Sequence, residues 1–297
     1  MRLVLATRKS MLALAQARAW VATLVAARPD VTIEEKHVVT TGDRVVDRPL
    51  YEVGGKGLFL KEIEEALLAR EADFAVHSVK DVPAELAPGL VLAAVPKRED
   101  PRDALVSRGG LSLRSLPSGA RVGTSSLRRL VMLRAVRPDL HYLPIRGNVD
   151  TRIRKVDEGE LDAAVLAYAG LRRLGRADRA TDILDLAVSL PAIGQGALGL
   201  ECRAVDGATR EILRATHDDE TAIAVAFERG VMLAVEGSCQ IPVAAYAHRD
   251  SGRLHARAML ADHDGSNARF AETDVPWPST DEAAREGGIA LGNRLRR

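Results

Sequence analysis

Several short stretches of this 297-residue sequence end an apolar run with basic or hydroxyl-bearing side chains. They are ATRKS from residue 6, GTSSLRR from residue 123 and PIRGNVDTRIRK from residue 144. A helix that starts there carries positive partial charge and free backbone N–H groups, so arginine is unfavourable unless an anion lies close by. Because a guanidinium grips a carboxylate through two parallel hydrogen bonds, the pattern favours carboxylate binding. Simple helix capping by Ser125 and Ser126 is the other interpretation.

The positive charge is concentrated in one part of the chain. The formal net charge is only +1, but residues 121–155 hold nine basic residues and two acidic ones. A patch of this density indicates an anionic partner, although a solvated charged face is the alternative. The near-neutral chain as a whole argues against a general nucleic-acid binder. An aromatic content of 3% also leaves little for base stacking.

The segment DFAVHSVKDVP delivers His77, Ser78, Lys80 and Asp81 to the end of a predicted strand, just before Pro83. A carboxylate in a basic cleft can act as a general acid, a general base or a stabiliser of a cation. An Asp–Lys surface pair at a turn is the alternative interpretation. These residues alone leave both interpretations open.

The glycine-rich stretch VGGKGLF lacks the Ser or Thr that follows the lysine of a Walker phosphate loop. We interpret residues 41–57 as a lid over a cleft, with glycines that allow it to move. The sequence contains no HExxH motif and no metal-spaced Cys/His cluster, so we predict no metal site. Its two cysteines, Cys202 and Cys239, are too few for a disulfide framework.

The composition, 46% hydrophobic and 28% charged, is that of a soluble globular protein with room for two or three domains. The apolar run in MRLVLATRKS is too short for a secretory signal. No stretch reaches the roughly 18 apolar residues of a membrane span. We therefore expect a cytoplasmic protein with no membrane partner.

The apolar runs place the motifs on two α/β units. Residues 3–78 predict the order strand, helix, strand, helix, strand, and residues 121–167 predict it again. This alternation implies two parallel-sheet domains whose ligands bind beyond the carboxyl ends of the strands. The segment VPKREDPRDALVS, residues 95–107, fits an exposed hinge, and residues 189–203 fit a second crossing back to the first domain. Two crossings predict a clamshell with a cleft.

After residue 217 the pattern changes to that of an α+β domain. A helix over 221–235 precedes strands over 241–248, 253–261 and 268–273, which DSG and DHDGS separate as hairpin signals, and a terminal helix starts at 281. The predicted fold class is two α/β domains of the periplasmic-binding-protein kind and a third domain with a three-stranded antiparallel sheet. The predicted domains are 1–96 with 197–215, 102–190, and 219–297, with Cys239 in the loop that enters the third sheet.

The motifs together resemble those of the porphobilinogen deaminase family, also called hydroxymethylbilane synthases. They are ATRKS, VGGKGLF, AVHSVKDVP, KREDPRDA, VGTSSLRR, RGNVDTR, AGLRRLG, LPAIGQGALGLECR and GSCQIPVAAYA, in the family's order and over nearly the whole chain. Any one of them is a weak signal, whereas the set is highly specific. The resemblance implies a transferase that joins four porphobilinogen molecules head to tail, releases ammonia each time, and frees linear hydroxymethylbilane by hydrolysis.

The resemblance also implies residue roles. Cys239 would carry a covalent dipyrromethane cofactor through a thioether, Cys202 would be a spectator, and Asp81 would stabilise a substrate cation and move protons. Lys56 and Phe59 would lie on the lid. Family members need no metal and are monomers. The residues expected to bind or contact the cofactor and substrate are Arg8, Gln16, Ser78, Lys80, Thr124, Ser125, Ser126, Arg128, Arg129, Arg146, Gly147, Arg152 and Arg173.

A two-lobed anion-binding protein without catalysis is the main alternative, because the same architecture hosts receptors and enzymes. A catalytic carboxylate at Asp81 and a loop-borne Cys239 favour the enzyme, since a pure binding protein has no use for either.

Overall fold

The computed structural model describes residues 1–44, 60–235 and 241–296. The predicted lid residues Lys56 and Phe59 and the predicted attachment residue Cys239 lie outside these ranges. The described strands are β1 (Arg2–Arg8), β2 (Thr32–Val38), β3 (Phe74–Ser78), β4 (Leu90–Ala94), β5 (Asp103–Ser107), β6 (Arg121–Gly123), β7 (His141–Leu143), β8 (Ala163–Ala167), β9 (Asp182–Ile183), β10 (Leu198–Arg203), β11 (Val243–Asp250), β12 (Arg253–Leu260) and β13 (Arg269–Pro276). The described helices are α1 (Met11–Ala27), α2 (Thr41–Arg44), α3 (Lys61–Leu68), α4 (Leu127–Val136), α5 (Val149–Asp157), α6 (Tyr168–Arg173), α7 (Gly207–Arg214), α8 (Asp219–Ala234) and α9 (Asp281–Leu295).

The chain divides into two compact units, Met1–Arg98 with Ala197–Ala222 and Glu99–Gly196 with Ile223–Arg297. The division into three domains stays a prediction. In the described part of the first unit, five strands form a sheet in the order β2-β1-β3-β10-β4. Strand β1 runs parallel to β2 and β3, whereas β10 runs antiparallel to β3 and β4. The sheet is therefore mixed, and the prediction of a purely parallel sheet is wrong here.

Helix α1 covers one face of this first sheet. It starts at Ser10, whose hydroxyl accepts a hydrogen bond from the backbone N–H of Ala13, and it ends before Pro29, which blocks continuation. Its buried face includes Trp20, whose ring packs edge to face against the ring of Phe74 with 5.5 Å between the ring centroids. This packing fixes α1, and hence the strand ends beside it, on the sheet.

The second unit contains a second mixed sheet, with the described strands in the order β7-β6-β8-β5-β9. Strand β5 runs antiparallel to β8 and β9, and all five of its residues are buried. The exposed hinge predicted for residues 95–107 is therefore wrong in its second half. The five-residue run DALVS is long enough to form a strand that pairs on both sides. The charged, proline-rich residues before it are typical of a linker, which is why the prediction extended the hinge over the strand.

The third sheet, also in the second unit, has the described order β11-β12-β13 and is antiparallel throughout. Ser251 and Gly252 both have positive φ, so the DSG signal forms the tight hairpin turn that joins β11 to β12. Helices α8 and α9 cover this sheet and approach each other closely: a Cβ at Gly288 would lie 1.9 Å from the carbonyl oxygen of Phe227. These three sheets confirm the predicted fold class.

Candidate functional site

The first unit gathers three predicted site residues around one small cavity. Arg8 is the last residue of β1, and Gln16 lies on the buried face of α1. Asp81 ends a 3₁₀ turn, Val79–Asp81, that follows β3, and its side chain is exposed. The cavity has a volume of about 30 Å³ and is lined by Arg8, Ala13, Gln16, Leu60, Ile63, Val76, His77 and Asp81.

The end of β3 explains how these polar groups converge. The strand stops at Ser78, and the turn after it is held by the backbone N–H of Val79, which donates to Ala197 O at 3.1 Å. Strict strand alternation, which would separate His77 from its polar neighbours, therefore ends at this point. The Ser78 hydroxyl donates to Gln16 Oε1 at 3.0 Å and so joins the group. Lys80 lies half-buried in the turn but does not line the cavity.

A buried His–Glu pair also belongs to this region. His77 Nε2 lies 2.8 Å from Glu201 Oε2, on the neighbouring strand β10. The sequence pattern predicts His77 at the strand end without a role for it, and no local signal indicates Glu201. The two residues are 124 positions apart in sequence, and only the antiparallel return of β10 brings them together.

In the second unit, the hydroxyl groups after β6 are engaged with the backbone. Ser126 caps α4 by accepting from the backbone N–H of Arg129 at 3.4 Å, and the Thr124 hydroxyl accepts from the N–H of Ser126. The Ser125 hydroxyl both donates to and accepts from the backbone of Ile145, at 2.7 and 2.9 Å. The capping interpretation of Ser126 is confirmed, and Ser125 joins the loop after β6 to the loop after β7.

The two arginines at the start of α4 share one internal carboxylate, that of Asp103. Arg128 Nη1 donates to Asp103 Oδ2 at 2.8 Å, and Arg129 Nη2 donates to Oδ1 at 2.7 Å. All three side chains are buried. Gln195, from the predicted crossing segment, donates to the same Oδ1 at 2.9 Å, and Ser189 donates to Oδ2 at 2.7 Å. The anion that the helix start requires is thus part of the protein, and the sequence analysis missed it.

The pKa values follow this arrangement. Burial alone would raise the pKa of Asp103, but attraction to Arg128 and Arg129 outweighs burial, so its pKa lies well below the usual range. Burial lowers the pKa of Arg128, against the opposing attraction of Asp103. One carboxylate therefore serves two buried guanidinium groups, and the cluster keeps a positive excess.

A second pair of arginines, Arg146 and Arg152, has no such carboxylate. Neither forms an ion pair with another residue in the described ranges, and Arg146 Nε and Nη2 are buried without a hydrogen-bond partner there. Arg152 Nε donates to the carbonyl of Gly147 at 2.9 Å. Burial, and then repulsion from Arg129 and Arg146, lowers the pKa of Arg152 to about 10. Uncompensated, partly desolvated guanidinium groups of this kind suit a bound anion.

Gly147 shapes the loop that carries this pair. Its φ is +100°, and a Cβ there would lie 2.6 Å from Cγ2 of Thr151, so a side chain would disrupt the turn. Arg173, at the end of α6, donates from Nη2 to the carbonyl of Gly196 at 2.6 Å. Burial lowers the pKa of Arg173.

Together these features describe an α/β protein with buried, partly unpartnered arginine nitrogens in one unit and an exposed carboxylate at a strand end in the other. The family model described as "Porphobilinogen deaminase, dipyromethane cofactor binding domain" matches residues 3–211, and "Porphobilinogen deaminase, C-terminal domain" matches residues 222–297. The chain belongs to the porphobilinogen deaminase family, whose members are enzymes that act on porphobilinogen.

Relatives of high identity bear the same name. A porphobilinogen deaminase of Sorangium cellulosum is 61% identical over 295 residues, which cover 99% of this chain and 98% of the relative. One of Syntrophobacter fumaroxidans is 52% identical over 285 residues, 96% of this chain and 92% of the relative. A solved structure of a nutrient-binding protein from Burkholderia cenocepacia bound to methionine is similar at a TM-score of 0.45 and 13% identity, over 74% of this chain and 93% of that one. The family matches do not favour the alternative of a non-catalytic binding protein.

No helix in the described part of the chain is long and apolar enough to cross a membrane. Among the same residues, no group of three or more His, Cys, Asp or Glu side chains could hold a metal ion. The second unit does suit the cofactor in the family description, because the carboxylates of a substituted dipyrromethane would partner the buried guanidinium nitrogens of Arg146.

Proposed function

We propose that this chain joins four porphobilinogen molecules head to tail, releasing ammonia each time, on a dipyrromethane attached to Cys239 by a thioether, to give hydroxymethylbilane. The observation that carries this proposal is the uncompensated cluster of Arg146 and Arg152 beside Arg129. Each pyrrole bears an acetate and a propionate group, so the growing chain gains negative charge with every addition. A cluster of arginines without carboxylates neutralises that charge.

We assign Arg146, Arg152 and Arg173 the binding of the carboxylate groups of cofactor and substrate. The buried guanidinium of Arg129 adds positive charge next to Arg152. Arg128, which contacts Asp103, Ser189 and the Leu190 carbonyl, holds the start of α4 in place. Thr124 and Ser126, whose hydroxyl oxygens accept from the backbone, keep O–H groups that can donate to a carboxylate. Ser125 joins the two loops and Gly147 shapes the turn beside them. When bound, the dipyrromethane supplies the pyrrole carbon to which the first substrate is joined.

Asp81 is assigned the proton and charge chemistry. When the substrate's C–N bond breaks, its electron pair leaves with nitrogen as ammonia, and positive charge stays on the substrate. The carboxylate of Asp81 stabilises that charge and accepts the ring proton lost after the new C–C bond forms. Arg8, Ser78, Lys80 and Gln16 bind or orient the substrate's polar groups next to it. The shared cavity supports this role for Arg8 and Gln16, and the Ser78–Gln16 hydrogen bond supports it for Ser78.

The properties of the other cysteine support attachment at Cys239. Cys202 lies within β10 and is fully buried. Burial, and then the nearby Asp206, raises the pKa of the Cys202 thiol to about 11, so little thiolate is present at neutral pH. A buried thiol of this kind is a poor attachment point, which leaves Cys239 as the candidate.

The test combines intact mass with turnover. We expect the purified chain to be heavier than its sequence by one dipyrromethane, and Cys239→Ser to remove that increment while the matched variant Cys202→Ser keeps it. Asp81→Asn should keep the increment but lower kcat by about 10²–10⁴, the range of general acid–base contributions. Near-normal turnover in Asp81→Asn, or an active chain with no added mass, would refute the proposal.

The partner and location expectations are part of the same proposal. We expect a cytoplasmic monomer that takes porphobilinogen as its small-molecule substrate and has no nucleic-acid or membrane partner. Lid roles for Lys56 and Phe59 also stay predictions.

A further inference from the structure

Next to the candidate catalytic carboxylate, the first unit buries an acid–base pair that the proposed chemistry leaves unused. The side chains of His77 and Glu201 are 5% and 0% exposed. A buried carboxylate is costly unless it is fully paired, yet Glu201 Oε1 has no hydrogen-bond partner among the described residues. An apolar pair of the same size would be as stable or more stable. Folding stability therefore does not account for this pair.

The pair is connected to Asp81 by the cavity. His77, Asp81, Arg8 and Gln16 all line the same space of about 30 Å³. A cavity of that volume holds a water molecule when its wall offers two to four polar partners. These four side chains satisfy that condition, so one water can bridge His77 and Asp81.

We propose that His77 is a positioning residue that accepts the proton from Asp81 through this water, with Glu201 fixing the ring's tautomer. The proposal rests on the proposed function of Asp81. His77 Nε2 lies 2.8 Å from Glu201 Oε2, and since an ionised carboxylate can only accept, Nε2 of a neutral ring would carry the hydrogen and Nδ1 the lone pair. The Asp81 proton passes to the water, and one proton of the water passes to Nδ1. Asp81 is left as a carboxylate for the next condensation. The imidazolium beside the Glu201 carboxylate then passes its proton back through the water to the released ammonia, which leaves as ammonium, and neutral His77 is restored.

The charges around His77 suit a reversible proton acceptor. Glu201 faces it from β10, Asp81 from the turn after β3, and Arg8 from β1. Glu64, on α3, interacts electrostatically with His77 and Glu201, and burial, followed by repulsion from Glu201, raises the pKa of Glu64. Charged groups of both signs therefore surround the His77 ring.

The test uses His77→Gln and Glu201→Gln in the cofactor-loaded enzyme. An exposed His–Glu pair on β2 provides the matched control, since His37 Nε2 lies 3.1 Å from Glu35 Oε2. We expect His77→Gln to lower kcat by about tenfold to a hundredfold, below a full general acid–base contribution, and to remove the acid limb of its pH profile. Glu201→Gln should move that limb to lower pH, because imidazolium loses its counter-charge. For the control variant His37→Gln, we expect the KM, the intact mass and the pH profile of kcat to match those of the parent.

The outcomes separate the two proposals. Parent-like pH profiles in both variants, together with an inactive Asp81→Asn, would overturn the relay and leave the role of Asp81 intact. Active Asp81→Asn would overturn the proposed function itself. Should both variants fail to fold, NMR of the ring nitrogens of His77 in the unmodified holoenzyme decides. A neutral ring protonated on Nε2 supports the relay, and one protonated on Nδ1 refutes it.

Discussion

Two pairs of arginines in the second unit differ in what neutralises them. Arg128 and Arg129 are buried and share the carboxylate of Asp103, whereas Arg146 and Arg152 form no ion pair within the described residues. Both pairs follow the carboxyl end of a strand, and both lie in arginine-rich motifs. A high density of arginines therefore identifies a cationic region, but it does not show which guanidinium groups lack a carboxylate partner within the described residues. The placement of the Asp103 carboxylate separates the two arginines that it pairs with from the two that we propose bind a ligand.

Removing the shared carboxylate should have the largest effect. Asp103→Ala leaves two buried guanidinium groups without their counter-charge, and breaking a buried ion pair from one side typically costs about 3–5 kcal/mol. We expect a loss of that size in the free energy of unfolding, measured by urea denaturation. A loss below about 1 kcal/mol, typical of an exposed ion pair, would contradict the distinction between the two pairs.

The pH dependence of stability checks the same carboxylate. Its pKa is depressed in the folded chain, so it stabilises the fold above its unfolded value of about 3.9, and the contribution is lost as pH falls below that value. Asp103→Asn, which keeps the shape without the charge, should flatten this part of the curve relative to the parent. An unchanged acid dependence would show that other carboxylates dominate it.

Removing an arginine of the second pair should affect ligand binding instead of folding. Arg146→Gln deletes a guanidinium that repels Arg152 and has no counter-charge among the described residues, so the free energy of unfolding of the cofactor-free chain should not fall. The variant loses charged hydrogen bonds with the cofactor, each of which contributes about 1.5–3 kcal/mol. A loss of that size lowers the binding constant for the cofactor by more than tenfold. Intact mass after reconstitution of the cofactor-free chain measures the loaded fraction.

Arg154→Gln changes an exposed arginine on α5, the helix that carries Arg152; it is the control and should load normally. If Arg146→Gln loads as fully as this control, the second pair is not a ligand site. If it unfolds as readily as Asp103→Ala, the two pairs do not differ in the way the contacts indicate.

Local patterns were sufficient to predict the elements that carry the motifs. Apolar runs and start signals predicted α4, and the hairpin residues at Ser251 and Gly252 predicted the turn between β11 and β12. The arginine-rich loops were also found, because their composition is local.

Pairings between distant segments could not be predicted in the same way. Asp103 follows a charged, proline-rich stretch, and only the insertion of β5 beside β8 buries it under α4. Glu201 reaches His77 because β10 returns antiparallel to β3. Neither event leaves a periodic signal, since a single buried carboxylate has the same local sequence as an exposed one. The missed residues are thus the internal partners of residues that the sequence did reveal.

The smallest effect concerns Ser126, whose cap to Arg129 N–H uses an oxygen lone pair and leaves its own O–H able to donate. In the cofactor-free background Cys239→Ser, Ser126→Ala should cost about 1 kcal/mol of unfolding free energy, as a lost helix cap does. Thr280→Ala, which removes the equivalent cap of α9, should cost a similar amount. In the loaded enzyme Ser126→Ala should cost more than Thr280→Ala, because the hydroxyl then also donates to a carboxylate. If Ser126→Ala and Thr280→Ala lose equal unfolding free energy in both the cofactor-free and the loaded chain, Ser126 only caps α4 and does not contact the ligand.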